Sequence, residues 1–244
     1  MKETIYTIPI NEAFDQKCSC AICSIENRIE NEEIEATLGP AMMEPDFRIN
    51  SNHKGFCKTH YDMLLKNCKA LPMALVLQTH IQQQNKDIFS HKVDFVSKNK
   101  LLKKQSDEYI SAKKITEHID KVNNSCVICD KVQDVMNRYF DNIIFIWKTQ
   151  KDFRDKFASQ DGFCIPHFSK LLNYAMKGLN ESEFKEFYHT VVKMQEKYLK
   201  QYYSDISDFT MLFDHNNNST PSENVKNSIK RSVHIISGLN CEND

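Results

Sequence analysis

Glycine is scarce in this chain, with five in 244 residues, and only six prolines stand beside them. So few turn-formers exclude the turn-rich all-β architectures, which need turn signals at short, regular spacing. Long apolar runs are missing too. Met73–Leu77 and Ile143–Trp147 are the longest, far below the roughly 20 residues that a membrane helix requires. The opening MKETIYTIPINEAF has no apolar core of the kind that marks a secretory signal. An excess of one charge sign is also absent. Lys plus Arg number 32 against 33 for Asp plus Glu, a net charge of −1. A general attraction to nucleic acid or anionic membranes is thereby excluded. No phosphate-cradling glycine loop, nucleophile motif or pair of catalytic carboxylates is visible. The expectation is a cytoplasmic protein without membrane insertion, and nothing marks it as an enzyme.

What is present is cysteine, nine residues of it, in a chain with a globular balance of 41% hydrophobic and 27% charged residues. In a reducing compartment, cysteines in such number read as metal ligands or reactive thiols before they read as a disulfide frame.

The hydrophobic periodicity is helical almost throughout. Ile25, Ile29, Ile34 and Leu38 form a narrow stripe among glutamates, stopped by Gly39-Pro40. Val132, Val135, Met136, Tyr139, Phe140, Ile143, Ile144 and Trp147 make a wider buried face. Residues 71–97 read as a long helix carrying Leu77, Ile81, Ile88, Phe89, Val93 and Val96. The strongest pattern runs from Phe184 through Phe187, Val191, Met194, Tyr198, Tyr202, Ile206 and Phe209 to Phe213, every step three or four residues. Thr220-Pro221-Ser222-Glu223 reads as a capping box that opens a last helix ending at Gly238. Only the alternating Thr4–Ile10 resembles a strand, and with no partner strand it is expected to be an extended arm.

Two of the five glycines open the same motif, GFCKTH at Gly55–His60 and GFCIPH at Gly162–His167. Upstream of each stands a Cys-x-x-Cys, Cys20/Cys23 and Cys126/Cys129, and between the two lies Asp-Phe-Arg, at Asp46–Arg48 and Asp152–Arg154. Nine identities recur 106 or 107 residues apart, which reads as an internal repeat. The expected organisation is therefore all-α, with two similar helical halves packed together, 1–105 and 106–244. Each half would be pinned by its own Cys3His site: Cys20, Cys23, Cys57 and His60 in the first, Cys126, Cys129, Cys164 and His167 in the second.

Three thiolates and an imidazole suit a closed tetrahedral zinc site. Cys-x-x-His on a helix puts both donors on one face, about one turn apart. Four protein ligands leave no place for a reacting water, so the expected role is structural, with two zinc ions per chain. Such a site carries a formal charge of about −1. Arg48 and Arg154, oriented by Asp46 and Asp152, are candidates to offset it from outside the ligand shell. The plainer reading gives Asp a capping role, Phe a core position and Arg a surface ion pair. Gly55 and Gly162 are expected to allow a backbone geometry that a side chain would block.

Two rivals use the same cysteines. Thiol–disulfide exchange uses Cys-x-x-Cys but leaves Cys-x-x-His without a task. Iron or iron–sulfur ligation also suits a Cys3His set, with Cys18 as a spare thiol near the first site. Cys68 and Cys241 have no repeat partners. Lys92, Lys98, Lys100, Lys103 and Lys104 form a basic stretch that reads as a solvated face, since Phe95 is the one aromatic among them and base stacking needs several. Nucleic acid is thus the weaker partner expectation, a protein partner the stronger, and a homo-oligomer is compatible with both.

The stretches YTIPINEAF, CSCAIC, LGPAMMEPDFR, GFCKTH, LPMALVLQTH, CVICD, FRDKF and GFCIPHF resemble a bacterial family, domain of unknown function 6062. The resemblance runs over nearly the whole chain. It implies one full-length unit and brings no assigned activity.

Overall fold

The computed structural model describes residues 5–67, 69–92, 105–214 and 220–239. Every regular element among them is helical: α1 Thr7–Asp15, α2 Ala21–Thr37, a 3-10 turn at Pro40–Met43, α3 Pro45–Lys54, α4 Lys58–Lys66 and α5 Ala70–Phe89. There follow α6 Asp107–Asn123, α7 Val127–Thr149, α8 Lys151–Ala158, α9 Ile165–Gly178, α10 Glu181–Met211, α11 Glu223–Lys226 and α12 Ser228–Ser237. The all-α class read from periodicity is the class observed. After each Cys-x-x-Cys comes a long helix, then a short one with Asp-Phe-Arg in its first turn. A helix opened by Gly-Phe-Cys and a further long helix complete the order.

Three expectations are corrected in detail. The supposed N-terminal arm is helix α1. Its inward residues are Ile10, Ala13 and Phe14, a spacing of three and four that the alternation of isoleucines disguises. Pro9 is tolerated because it lies in the first turn, where a backbone N–H has no helical partner. The last region is opened by Ser222, whose hydroxyl accepts from the Val225 amide, and not by Thr220. A capping box does occur at Asn180 and Glu183, at the head of α10. The helix expected over 71–97 covers Ala70–Phe89. Val93, Val96, Cys68, Cys241, Lys98, Lys100, Lys103 and Lys104 lie outside the described residues.

The chain forms two compact units, Met1–Arg28 with Val135–Asp244, and Ile29–Asp134. The dividing points fall within α2 and α7, so the units are composed differently from the halves 1–105 and 106–244.

In the first unit α10 packs on α8, α9, α11 and α12, and α1 packs on α8. Its core is aromatic. Phe14 lies 5.1 Å from Phe153 and 5.9 Å from Phe157, and Phe157 lies 5.4 Å from both Phe163 and Phe187. Trp147 closes the group edge-on to Phe187 at 5.1 Å. Such pairs add to what burial alone contributes. In the second unit α3 packs on α5, and α5 on α6. Its buried residues are mainly aliphatic, Ile29, Ile34, Leu38, Leu64, Met73 and Val76 among them, with Phe47 and Phe56 also buried. No described helix is long and apolar enough to cross a membrane.

Candidate metal centres

All eight expected ligands stand at the starts of helices. Cys20 immediately precedes α2 and Cys126 immediately precedes α7, which puts Cys23 and Cys129 in the first turns. Cys57 is the N-cap of α4, with φ −72° and ψ 167°, and Cys164 is the N-cap of α9, with φ −62° and ψ 151°. His60 and His167 are then the third residues of their helices. Helix N-termini present unpaired N–H groups and the positive end of the helix dipole. They therefore favour thiolates, the form that binds metal.

The eight residues gather into two clusters, but not in the expected pairing. Cys20 and Cys23 meet Cys164 and His167, while Cys57 and His60 meet Cys126 and Cys129. Each Cys-x-x-Cys thus joins the Cys-x-x-His of the other half of the sequence, and each cluster lies wholly within one unit. A rigid helix follows each Cys-x-x-Cys: the 17-residue α2 is about 25 Å long and the 23-residue α7 about 35 Å, while the shorter α3 and α8 span about 15 Å and about 12 Å.

In each cluster the four donor atoms lie within 4.8 Å of one another. In the first, His167 Nδ1 is 3.7 Å from Cys20 Sγ, 3.3 Å from Cys23 Sγ and 3.2 Å from Cys164 Sγ, and Cys23 Sγ is 3.5 Å from Cys164 Sγ. In the second, His60 Nδ1 is 3.2 Å from Cys57 Sγ and Cys126 Sγ and 3.3 Å from Cys129 Sγ, and Cys57 Sγ is 3.8 Å from Cys129 Sγ. A tetrahedral ion with ordinary zinc bond lengths requires S···S of about 3.8 Å and S···N of about 3.5 Å. The observed edges fit one ion per cluster. A multi-iron cluster would spread its ligands over separate metal atoms.

Each imidazole also turns its outer nitrogen to a carboxylate. His167 Nε2 lies 3.1 Å from Glu26 Oε2, and His60 Nε2 lies 2.9 Å from Glu30 Oε1. An Nε2–H donated to the carboxylate leaves the Nδ1 lone pair for the ion. In the metal-free chain the same contacts set the charges. Burial opposes a charged His167, but its hydrogen bonds to Cys20 and Glu26 raise its pKa to about 9. Burial likewise opposes a charged His60, which Cys126 and Glu30 raise to about 10. Hydrogen bonds from Cys20 and Cys23 lower Cys164 to about 4, and the same contact raises Cys23. Cys126, despite burial, falls to about 6 through His60 and backbone amides, while burial and its thiol neighbours raise Cys129. In each cluster these contacts favour a charged imidazole beside a thiolate, Cys164 in the first and Cys126 in the second, and a divalent cation can displace the proton on the imidazole.

Glu26 and Glu30 are absent from the sequence-based set. Their signal is a spacing of four residues in α2, one turn apart on one face, which passes for a solvated stripe until the histidines are placed. The residues proposed for this outer role are engaged as follows. Arg48 donates to Met42 O at 3.3 Å and to Thr79 Oγ1 at 3.0 Å. Arg154 donates to Trp147 O and Lys148 O, forks onto the Glu186 carboxylate at 3.0 and 3.1 Å, and stacks over Trp147 at 4.5 Å. Asp46 and Asp152 occupy the first turns of α3 and α8, where negative charge suits the dipole. Phe47 and Phe153 are buried. Cys18 is half-buried.

The two glycines are needed for different reasons. Gly55 has φ +64° and caps α3, and its carbonyl accepts from the Val127 amide at 3.1 Å, tying one cysteine loop to the other. A Cβ there would also stand 2.9 Å from His80 Cε1. Gly162 has no such backbone demand, but a Cβ on it would fall 2.2 Å from Cδ1 of Tyr198. Beside it the buried Gln195 amide clasps Phe163, accepting from its N–H at 3.0 Å and donating to its carbonyl at 2.8 Å.

The model of a family of unknown function, DUF6062, matches residues 1–243. No curated protein and no solved structure matches the chain.

Proposed function

Since the chain belongs to the DUF6062 family of unknown function, we propose its role from its own geometry: two structural zinc ions, one per cluster, in a non-enzymatic binding or scaffold protein of the cytoplasm. The observation that carries this reading is the convergence of three sulfurs and one nitrogen within 4.8 Å in each cluster. A soft, tetrahedral donor set of this kind selects zinc over the oxygen-loving cations. All four positions are filled by the protein, so bound zinc has no open site at which to activate water. What the ion supplies is attachment. It holds the start of α2 to the start of α9, and the start of α4 to the start of α7. Glu26 and Glu30 hold the imidazoles in the tautomer that presents Nδ1. The partner we propose is another protein.

The test is metal content per chain after anaerobic purification without an affinity metal, with an absorption spectrum alongside. Two zinc ions and no visible colour are expected, with helicity lost on chelation. Iron with visible absorption would replace this reading with electron transfer or sensing. A metal-free, fully folded chain would remove it.

A further inference from the structure

The two clusters offer the same chemistry at unequal depth. In the first, Cys20, Cys23, Cys164 and His167 are all buried, with Cys164 at 0% exposure. In the second, His60 and Cys126 are buried, Cys57 is half-buried and Cys129 is exposed. The exposed and half-buried sulfurs are also close neighbours, 3.8 Å apart. The buried cluster has an equally close pair, Cys23 and Cys164 at 3.5 Å. Sulfur proximity is therefore common to both, and access distinguishes them.

We propose that Cys129 and Cys57 form a peroxide-sensitive modification site whose oxidation to a disulfide releases the metal of the second cluster. This rests on the zinc reading and adds a regulation to it. Coordination keeps both sulfurs as thiolates, and oxidation selects thiolates that solvent can reach. The Cys129 thiolate attacks one oxygen of hydrogen peroxide. The O–O bond breaks, hydroxide leaves, and Cys129 becomes a sulfenic acid. The Cys57 thiolate then attacks that sulfur. The S–O bond breaks, a second hydroxide leaves, and the S–S bond forms. The two sulfurs together lose two electrons, peroxide gains them, and two protons from solvent turn the two hydroxides into water. No change in the metal's oxidation state is needed: with Cys57 and Cys129 joined, only Cys126 and His60 would remain to hold a zinc ion, too few donors to retain it. The start of α4 is then joined to the start of α7 by a covalent bond in place of the ion.

The test uses the wild-type, metal-loaded chain, so no variant has to fold. Zinc is first counted. Hydrogen peroxide is then added, release is followed with a chromophoric chelator, and samples are alkylated under denaturing conditions and mapped by mass spectrometry. One of two zinc ions should leave in step with a Cys57–Cys129 disulfide, at least about tenfold faster than Cys20, Cys23 or Cys164 reacts. A thiol reductant with added zinc should restore the full metal count. Loss of both ions in step, earlier oxidation of the buried cluster or of Cys18, or a Cys126–Cys129 disulfide would each overturn the proposal. Absence of zinc before peroxide would instead overturn the zinc reading and the release with it.

Discussion

The clusters at Cys20/Cys23/Cys164/His167 and Cys57/His60/Cys126/Cys129 draw the same four donors from the same two motifs, and their surroundings differ. The first sits against a packed aromatic core, with Phe163 between Phe14 and Phe157 and its backbone held by Gln195. The second sits in an aliphatic unit, held by the Gly55–Val127 backbone bond and by an exposed Lys54–Asp130 pair at 2.6 Å. Identical ligands thus do not make equivalent sites. The donors set which ions could bind, and the packing around them sets how far solvent reaches them.

The largest effect that would sharpen this comparison comes from the ligands. Cys164→Ser should remove one metal equivalent and destabilise the protein by more than about 4 kcal/mol, while Cys57→Ser removes one equivalent at about half that cost. Zinc content and thermal melts read both. Full metal and an unchanged Tm in both variants would break the ligand assignment.

The glycines come next. Gly162→Ala should cost about 3 kcal/mol by overpacking against Tyr198, and Gly55→Ala about 1–3 kcal/mol from its positive φ. A second substitution separates the causes. Tyr198→Ala should relieve most of the first penalty, and His80→Ala should leave most of the second. Equal rescue in the two denaturation cycles would show that the glycines serve one purpose after all.

Smaller again is the outer carboxylate. Glu26→Gln and Glu30→Gln should each weaken zinc binding at their own cluster by about 10- to 100-fold, measured by competition with a chelator. The two side chains are similarly covered, 31% and 28% exposed, so unequal losses would show that one histidine is held by something else. Smallest is Lys54→Ala. With 46% of Lys54 and 52% of Asp130 open to solvent, its effect on the melt should stay below about 0.5 kcal/mol.

Helix content was legible because α7 and α10 bury residues at three- and four-residue steps that no strand would repeat. Helix α1 was not, since its buried Phe14 matters only once Phe153 and Phe157 stand opposite. The eight cysteines and histidines that gather into clusters were legible by type and spacing, though their pairing was not. Glu26 and Glu30 were not, because a glutamate on a charged helix face becomes distinctive only when a buried imidazole points at it.

The sequence by itself determined the donors and their local posture. Cys-x-x-Cys and Cys-x-x-His each set two donors one helical turn apart at a helix start, and that geometry depends on neighbours a few residues away. Which pair meets which was decided by the tertiary structure alone. Two chemically equal Cys-x-x-Cys pairs face two chemically equal Cys-x-x-His pairs, so nothing in the ligands distinguishes the pairings. The choice falls to the packing of each unit, in the first of which an aromatic core gathers Phe14 and Phe163 from distant parts of the sequence.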